Sequence, residues 1–426
     1  MNTTTNFAAT IGLDWADQKH DLWIQPAEGS KAQHLHLEQT PEALHEWAAK
    51  LRERFGNRPV AIGIETSRGP VISALLAYDF IVLFPLNPKA LKDYRAAFSV
   101  SGAKDDRTDA QLIEEFIRLH RHKLKALEPD TQLTRQLAGL VQNRRHLVDE
   151  RTRIVNQLHA VLKTYYPLAE TLLPRQMNRP LAAEFLARWP DLETLQHAEL
   201  KTLRAFFYKH HSRSARKMEE RLSQVQKARA LTSDPAILTP ARLLVVGLAG
   251  MLKPLHQALA RLDKEIEQAM DRHPDAPLFR SFPGAGPALA PRLLVAYGTN
   301  RDRFQDAGQV AQLYGVAPVV IQSGNSKTTH LRHRCPKFGR QTFHENAGCA
   351  LKQEPWARRY YDQHKKRHDD KHHQACRALA YKLNRIYFAC WKRREKYDPQ
   401  RYLRALAKNG SPLHKQLEIP TPASRE

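Results

Sequence analysis

The chain carries four cysteines in 426 residues, and none of them forms a C-x-x-C pair. Cys335, Cys349, Cys376 and Cys390 therefore suggest neither a zinc ribbon nor a disulfide framework, and their scatter fits a reducing cytoplasm. Long apolar runs are also missing. The longest nearly apolar stretch, residues 243–252, is far short of a bilayer span, so no membrane association is expected. The first residues lack the basic segment and long apolar core of a secretion signal, and Asp14 interrupts their only apolar run. No tandem repeat or low-complexity tract stands out. Finally, residues 15–22 (WADQKHDL) contain no glycine-rich phosphate turn. That counts against a sugar-kinase-like or actin-like ATPase, which also places an Asp after its first strand.

What is present is charge, unevenly placed. The formal net charge is +23, yet residues 1–110 hold 12 Lys/Arg against 14 Asp/Glu, whereas residues 324–426 hold 24 against 9. A near-neutral, acid-bearing start joined to a strongly basic end suggests a polyanion held by one part and processed by another. General solubility would explain a basic surface but not this segregation. With 42% hydrophobic residues, the length allows two or three domains with real cores.

Short apolar runs at residues 8–14, 20–25 and 33–37 predict three strands, with residues 18–20 as the first turn. Thr40 and Pro41 predict a helix N-terminus running to about Phe55. Strands at 60–65 and 80–85 alternate with helices near 70–77 and 88–98. A further amphipathic helix begins with Ala110, Leu112, Ile113, Phe116 and Ile117. The order β-β-β-α-β-α-β-α resembles an RNase H-like fold.

Four acids occupy suggestive places in this pattern. Asp14 ends Ile-Gly-Leu-Asp, Glu65 ends Ile-Gly-Ile-Glu, and Asp106 and Asp109 lie three apart at the last helix, so they share one face of it. Singly, each is an ordinary cap or turn residue. As a set they make a hard oxygen cage suited to Mg²⁺, with Mn²⁺ as the alternative, able to clamp a phosphodiester.

Beyond residue 130 the rhythm changes. Leu133, Leu137, Leu140, Leu147, Ile154, Leu158 and Val161 follow a heptad-like spacing, with Arg144 and Arg151 at two seam positions. Leu248, Leu252, Leu255, Leu259, Leu262 and Ile266 repeat it, with Pro254 expected to kink or delay the helix. These helices could form an antiparallel hairpin or pair with another subunit, as a dimer or tetramer. Pro167, Pro174, Pro180 and Pro190 punctuate short helices between them, and residues 208–217 read as a basic loop. Gly284 and Gly286 sit in a turn resembling that of helix-hairpin-helix modules, where backbone N–H groups approach phosphate; alone, a plain tight turn is the blander reading. Ser323, in a loop of small and polar residues after an apolar run, is a candidate nucleophile, with Ser326 as competitor. Lys327, Arg332, Arg334, Lys337, Arg340, Arg358, Arg359, Lys365, Lys366 and Arg367 are candidate nucleic-acid contacts, with Trp356, Tyr360 and Tyr361 interleaved for base stacking. His368, His372, His373 and Cys376 fit a solvated face better than a metal site, and residues 410–426 look like a polar tail.

Taken together, Ile-Gly-Leu-Asp at 11–14, Ile-Glu-Thr at 64–66, Gly-Ala-Lys-Asp-Asp-Arg-Thr-Asp-Ala at 102–110, Phe-Pro-Gly-Ala-Gly-Pro at 282–287 and Tyr-Gly-Val-Ala-Pro followed by Gln-Ser-Gly at 314–324 resemble one family. It is that of insertion-sequence transposases with a DEDD-type, RuvC-like N-terminal domain and a serine-bearing C-terminal domain. These are the bridge-RNA-guided recombinases, with which the pilin-gene invertases belong. The resemblance implies a RuvC-like domain at 1–125, a helical coiled-coil region at 126–275, a C-terminal transposase domain at 276–400 and a tail at 401–426. It also implies metal binding by Asp14, Glu65, Asp106 and Asp109, attack by Ser323, a structured guide RNA, donor and target DNA as partners, and a bacterial cytoplasmic setting at the nucleoid. Two departures stand out. Lys104-Asp105-Asp106 replaces the usual Lys-Thr-Asp, where spacing to Asp109 favours Asp106 as ligand, and Cys335-Pro336-Lys337-Phe338 stands where a Gly/Arg turn is expected. Two competing functions remain at this point: a RuvC-like, structure-selective endonuclease without serine chemistry, and a non-catalytic nucleic-acid scaffold.

Overall fold

The computed structural model describes residues 6–28, 31–98, 105–173, 177–210, 214–367, 371–411 and 413. Ser101, Gly102, Ala103, Lys104 and His368, and nearly all of the tail from 412 onward, lie outside them. The chain divides into two units, residues 1–129 and 130–426.

The first unit is a five-stranded mixed sheet. Its elements are β1 (Ala9–Asp14), β2 (Lys19–Pro26), β3 (Gln33–Glu38), α1 (Pro41–Phe55), β4 (Val60–Ile64), α2 (Pro70–Leu75), β5 (Ile81–Pro85), α3 (Pro88–Phe98) and α4 (Asp106–His120). Strand order is β3-β2-β1-β4-β5, with β1, β4 and β5 parallel and the β1-β2-β3 meander antiparallel. Parallel strands need both faces covered, and the residues comply. Ile11, Leu13, Ile62 and Ile64 pack with Leu44, Trp47, Leu51 and Val71 of α1 and α2. Ala61 and Phe84 cluster with Leu91, Ile113 and Ile117 of α3 and α4 on the other side. Thr40 caps α1 by accepting from the Ala43 N–H at 3.2 Å, with Pro41 at the first helical position and Gly56 closing the helix at φ 60°.

Two local expectations shift. β2 begins at Lys19, so the first turn precedes it. α4 begins at Asp106, a full turn before Ala110, because the Asp105 carboxylate accepts from the Thr108 N–H at 3.3 Å and supplies the cap that apolar spacing alone does not reveal.

The second unit is mostly helical: α5 (Gln132–Tyr165), α6 (Leu168–Leu172), α7 (Pro180–Arg188), α8 (Leu192–Gln196), α9 (Leu200–Lys209), α10 (Ala215–Lys227), α11 (Pro235–Arg272), α12 (Ala276–Arg280), α13 (Leu289–Tyr297), α14 (Ala307–Leu313), β6 (Val319–Ser323), β7 (Ser326–His330), α15 (Lys337–Ala350), α16 (Pro355–Arg367), α17 (His372–Arg393) and α18 (Pro399–Lys408). α5 and α11 lie antiparallel, since Thr134 near the start of α5 meets His273 just past the end of α11 at 3.0 Å. Leu158, Leu162, Leu248 and Leu252 join the short helices between them in one core. Leu137, Val141 and Ile266 join α12–α17 in another. Of the two pairings open for the heptads, the chain uses these seam residues internally. α11 runs unbroken through both Pro240 and Pro254. By length and composition alone it is apolar enough to cross a membrane, but here its seam is packed on α5 and Arg242 pairs with the buried Asp191 at 2.6 Å. The basic stretch at 208–217 is not wholly loop: it includes the end of α9 and the start of α10, capped by Ser214, while residues 211–213 lie outside the described set.

Candidate metal centre

Three of the four expected acids meet. One carboxylate oxygen from each of Asp14, Asp106 and Asp109 lies within 4.8 Å of the others. Glu65 is not in that group. Its position is nonetheless close in register: β1 and β4 run parallel with Leu13 opposite Ile64, so Asp14 and Glu65 follow side by side at one end of the sheet.

Two glycines set this geometry. Gly12 and Gly63 are direct neighbours across β1 and β4, each two residues before its acid. A Cβ on Gly12 would run into the Ala110 carbonyl and the Glu114 N–H of α4, and one on Gly63 would meet Ile113 and Ile117 at under 3.0 Å. Their bare backbone therefore lets α4 lie directly on the strands, which carries Asp106 and Asp109 to the end of β1. Acids near a helix N-terminus are also favoured by its dipole. The neighbouring Asp105 is spent on the cap, where it accepts from both the N–H and the hydroxyl of Thr108. The two Ile-Gly-x-acid motifs were read for their acids, whereas the role of Gly12 and Gly63 in admitting α4 was missed.

Like charges this close need a counter-charge. At the 4.8 Å limit of the cluster, each pair of full charges repels by about 3 kcal/mol at an effective dielectric constant of about 20. Arg95 of α3 supplies one positive charge by pairing with the buried Asp109, a partner that sequence reading did not single out. Deeper under α4, Glu114 is buried, donates nothing when ionised and accepts from Thr10 Oγ1 at 2.5 Å and Arg118 Nε at 3.0 Å. Burial pushes its carboxyl above the usual range, with Thr10 and Arg118 pulling the other way. Oxygen-only donors at a sheet end beside a helix start fit a hard divalent cation, which the protein would hold through Asp14, Asp106 and Asp109.

The second unit places the other candidates differently from expectation. Ser323 is not in an irregular loop. It ends β6 and pairs with Ser326 across a two-residue turn in which Gly324 has φ 54°, a position where glycine is favoured. From Val320 to His330 this hairpin is exposed throughout. The proposed phosphate-binding role of Gly284 is corrected: it is buried, its N–H donates to Gln353 Oε1 at 2.6 Å, and a Cβ there would meet Ala350 N of α15. Its glycine serves helix packing, whereas Gly286 is exposed. Base stacking by Trp356 and Tyr361 is likewise corrected, because both are buried, Trp356 Nε1 donating to the Tyr397 hydroxyl and Tyr361 bonding His372. Tyr360 is half-covered, with the Lys382 ammonium over its ring. Among the basic candidates, Lys327, Arg334, Lys337, Arg358, Lys366 and Arg367 are exposed and Arg332, Arg340, Arg359 and Lys365 partly so. Arg340 donates to the Arg332 carbonyl and Arg358 pairs with Asp362. All four cysteines are free thiols.

Residues 11–167 match the family DEDD_Tnp_IS110, described as transposase, and residues 276–362 match the "Transposase IS116/IS110/IS902 family". Among curated proteins, the chain is 28% identical to the "Mini-circle putative transposase for IS117" of Streptomyces coelicolor, over 92% of this chain and 95% of the relative. It is 26% identical to the "Insertion element IS110 uncharacterized 43.6 kDa protein" of the same organism, over 91% and 95%. A third relative, the "Insertion element IS900 uncharacterized 42 kDa protein" of Mycobacterium paratuberculosis, shares 27% identity over 72% and 76%.

Proposed function

The chain belongs to the IS110/IS116 family of DEDD transposases, enzymes that cut and rejoin DNA, and from that premise we propose that its metal centre is built by Asp14, Asp106 and Asp109 with Glu65 beside them. The observation that carries this is the meeting of three acids, two of them about ninety residues from the first, at one end of the five-stranded mixed sheet. Mg²⁺ or Mn²⁺ bound there would polarise the scissile phosphate and ease deprotonation of an attacking hydroxyl.

Ser323 is the nucleophile of this reading. Its Oγ forms the bond to phosphorus as the bond from phosphorus to the 3′ oxygen breaks, and the hydroxyl proton ends on the departing 3′-OH. The phosphoserine link preserves the ester, so the strand can be resealed on a new end without a nucleotide cofactor. An exposed hairpin tip suits a hydroxyl that must reach a duplex. The exposed cations of the second unit are the surface for DNA and for a structured guide RNA, recognised through backbone and shape. Because the seams of α5 and α11 are filled within the chain, a dimer or tetramer of a cytoplasmic, DNA-acting protein would use other faces.

The test is trapping. Wild-type protein with DNA carrying an element end, its guide RNA and Mg²⁺ should yield a protein–DNA adduct that survives denaturant and is absent from Ser323→Ala. Cutting that persists in Ser323→Ala without an adduct would leave a hydrolytic, RuvC-like nuclease instead.

A further inference from the structure

The face of the sheet that carries Asp14 holds a second set of ligand atoms made of different chemistry. Asp14 lies directly opposite Asp21 on β2, and Asp21 lies directly opposite His36 on β3. His34, two residues along β3, points to the same side, since side chains on a strand alternate. Contacts agree with that placement: Trp23, which pairs with His34, lies under the Arg107 guanidinium of α4, 5.6 Å from the ring centre. The Asp21 carboxylate hydrogen-bonds His34 Nε2 at 2.6 Å, and the same oxygen lies 3.1 Å from His36 Nδ1. The two imidazoles meet edge to face at 4.7 Å between centres, and one donor atom from each of the three residues lies within 4.8 Å of the others.

We propose that Asp21, His34 and His36 form a second divalent-cation site, selective for a borderline transition ion such as Zn²⁺ or Co²⁺. Three features argue for a ligand set over a plain ion pair. Both imidazole nitrogens converge on one carboxylate oxygen, the arrangement that an ion inserted among them would exploit with little movement. Two of the three side chains are largely shielded, Asp21 at 13% and His34 at 18% exposure, while His36 at 49% leaves an entry from solvent. The donor set is also softer than the neighbouring one. Two nitrogens and an oxygen suit Zn²⁺, Co²⁺ or Ni²⁺, whereas the three aspartates offer only oxygen and suit Mg²⁺ or Mn²⁺. With three protein ligands, coordination positions remain for water or for a phosphate oxygen. An ion here would stand one strand away from Asp14 and place positive charge beside the carboxylate cluster. The proposal rests on its own residues and does not need the carboxylate cluster to be catalytic.

Cobalt provides the probe, because its visible absorption reports nitrogen ligation and coordination number. Metal-stripped full-length protein titrated with Co²⁺ should develop those bands, saturating at one equivalent, and Zn²⁺ should abolish them while Mg²⁺ should not. His34→Ala/His36→Ala should bind Co²⁺ at least about tenfold more weakly, and His36→Gln, which keeps most of the volume, should show the same direction of change. Circular dichroism and gel filtration check that each variant is folded; if the double variant is not, His36→Gln alone decides. Asp106→Asn should keep the bands, which separates this site from the carboxylate cluster. No absorption from the wild type, or the same titration in folded His36→Gln, would overturn the proposal.

Discussion

The two ends of the proposed chemistry are built in opposite ways. The carboxylates of the first unit stand on elements that leave them almost no choice: a strand end, a capped helix start and two glycines that bring the backbones together. Ser323 of the second unit stands on an exposed two-stranded hairpin whose side chains meet little. A metal cage of like charges needs a rigid frame, because each ligand's position is paid for in repulsion. A nucleophile that must find a phosphate on a large substrate benefits from reach. The charge division runs the same way, with the acids in the near-neutral first 110 residues and the strongest positive excess in residues 324–426.

The largest effect should come from breaking the rigid side. Asp106 is exposed at the start of α4, so Asp106→Asn should fold normally and yet lower strand cleavage by about 10²–10³-fold or more, as losing a preorganised charge does. Gel assays of cleaved and joined DNA measure this. Next in size is the counter-charge. Arg95→Leu strands the buried Asp109, which should cost about 3–5 kcal/mol in metal-free protein. Adding Mg²⁺ should return much of that loss in chemical denaturation, whereas wild type should gain less.

How much of this could be read from residues alone differs between the units in the same way. The strand–helix alternation up to Phe98 was legible because apolar alternation and caps such as Thr40 are local signals. Spacing to Asp109 favoured Asp106 over Asp105 as the acid that faces Asp14, and Asp106 does lie in that group, but the capping role of Asp105 was not legible because it depends on where α4 starts. The closeness of α4 to the sheet was not legible, since the meaning of Gly12 and Gly63 depends on α4 packing across them. Asp21, His34 and His36 were invisible for a related reason: only the β2–β3 register puts them together. In the second unit, the helical spacing of residues 355–367 could not say which face would be buried, so Trp356 and Tyr361 were read as base-stacking groups when they are core. Ser323 was taken for a loop residue although Val-Val-Ile-Gln-Ser-Gly-Asn-Ser-Lys-Thr-Thr-His carries a glycine at the first of two turn positions.

Glycine substitution sharpens the contrast further. Gly12→Ala should destabilise the first unit by about 1–3 kcal/mol, because α4 must move for the new methyl group. Gly348→Ala, in α15 with open space around it, should be neutral or stabilise the second unit by up to about 1 kcal/mol. Urea unfolding followed by fluorescence and circular dichroism separates the two outcomes. The smallest expected effect concerns pH. Burial holds the His20 imidazole below its ordinary value of 6.5, against the pull of Gln39 and Asp21. The unfolded chain therefore takes up the proton first, and the first unit should lose stability as pH falls below about 6.5. In His20→Gln that slope should flatten in thermal melts across the same range, while the corresponding loss from the buried His273 of the second unit persists.

The most direct measurement of the central claim is anomalous scattering from crystals of the full chain grown with Mn²⁺. The account predicts a peak within bonding distance of the Asp14, Asp106 and Asp109 carboxylates, lost in Asp106→Asn crystals. A clean map there, with Asp109 still paired to Arg95 and Mn²⁺ bound elsewhere, would contradict it.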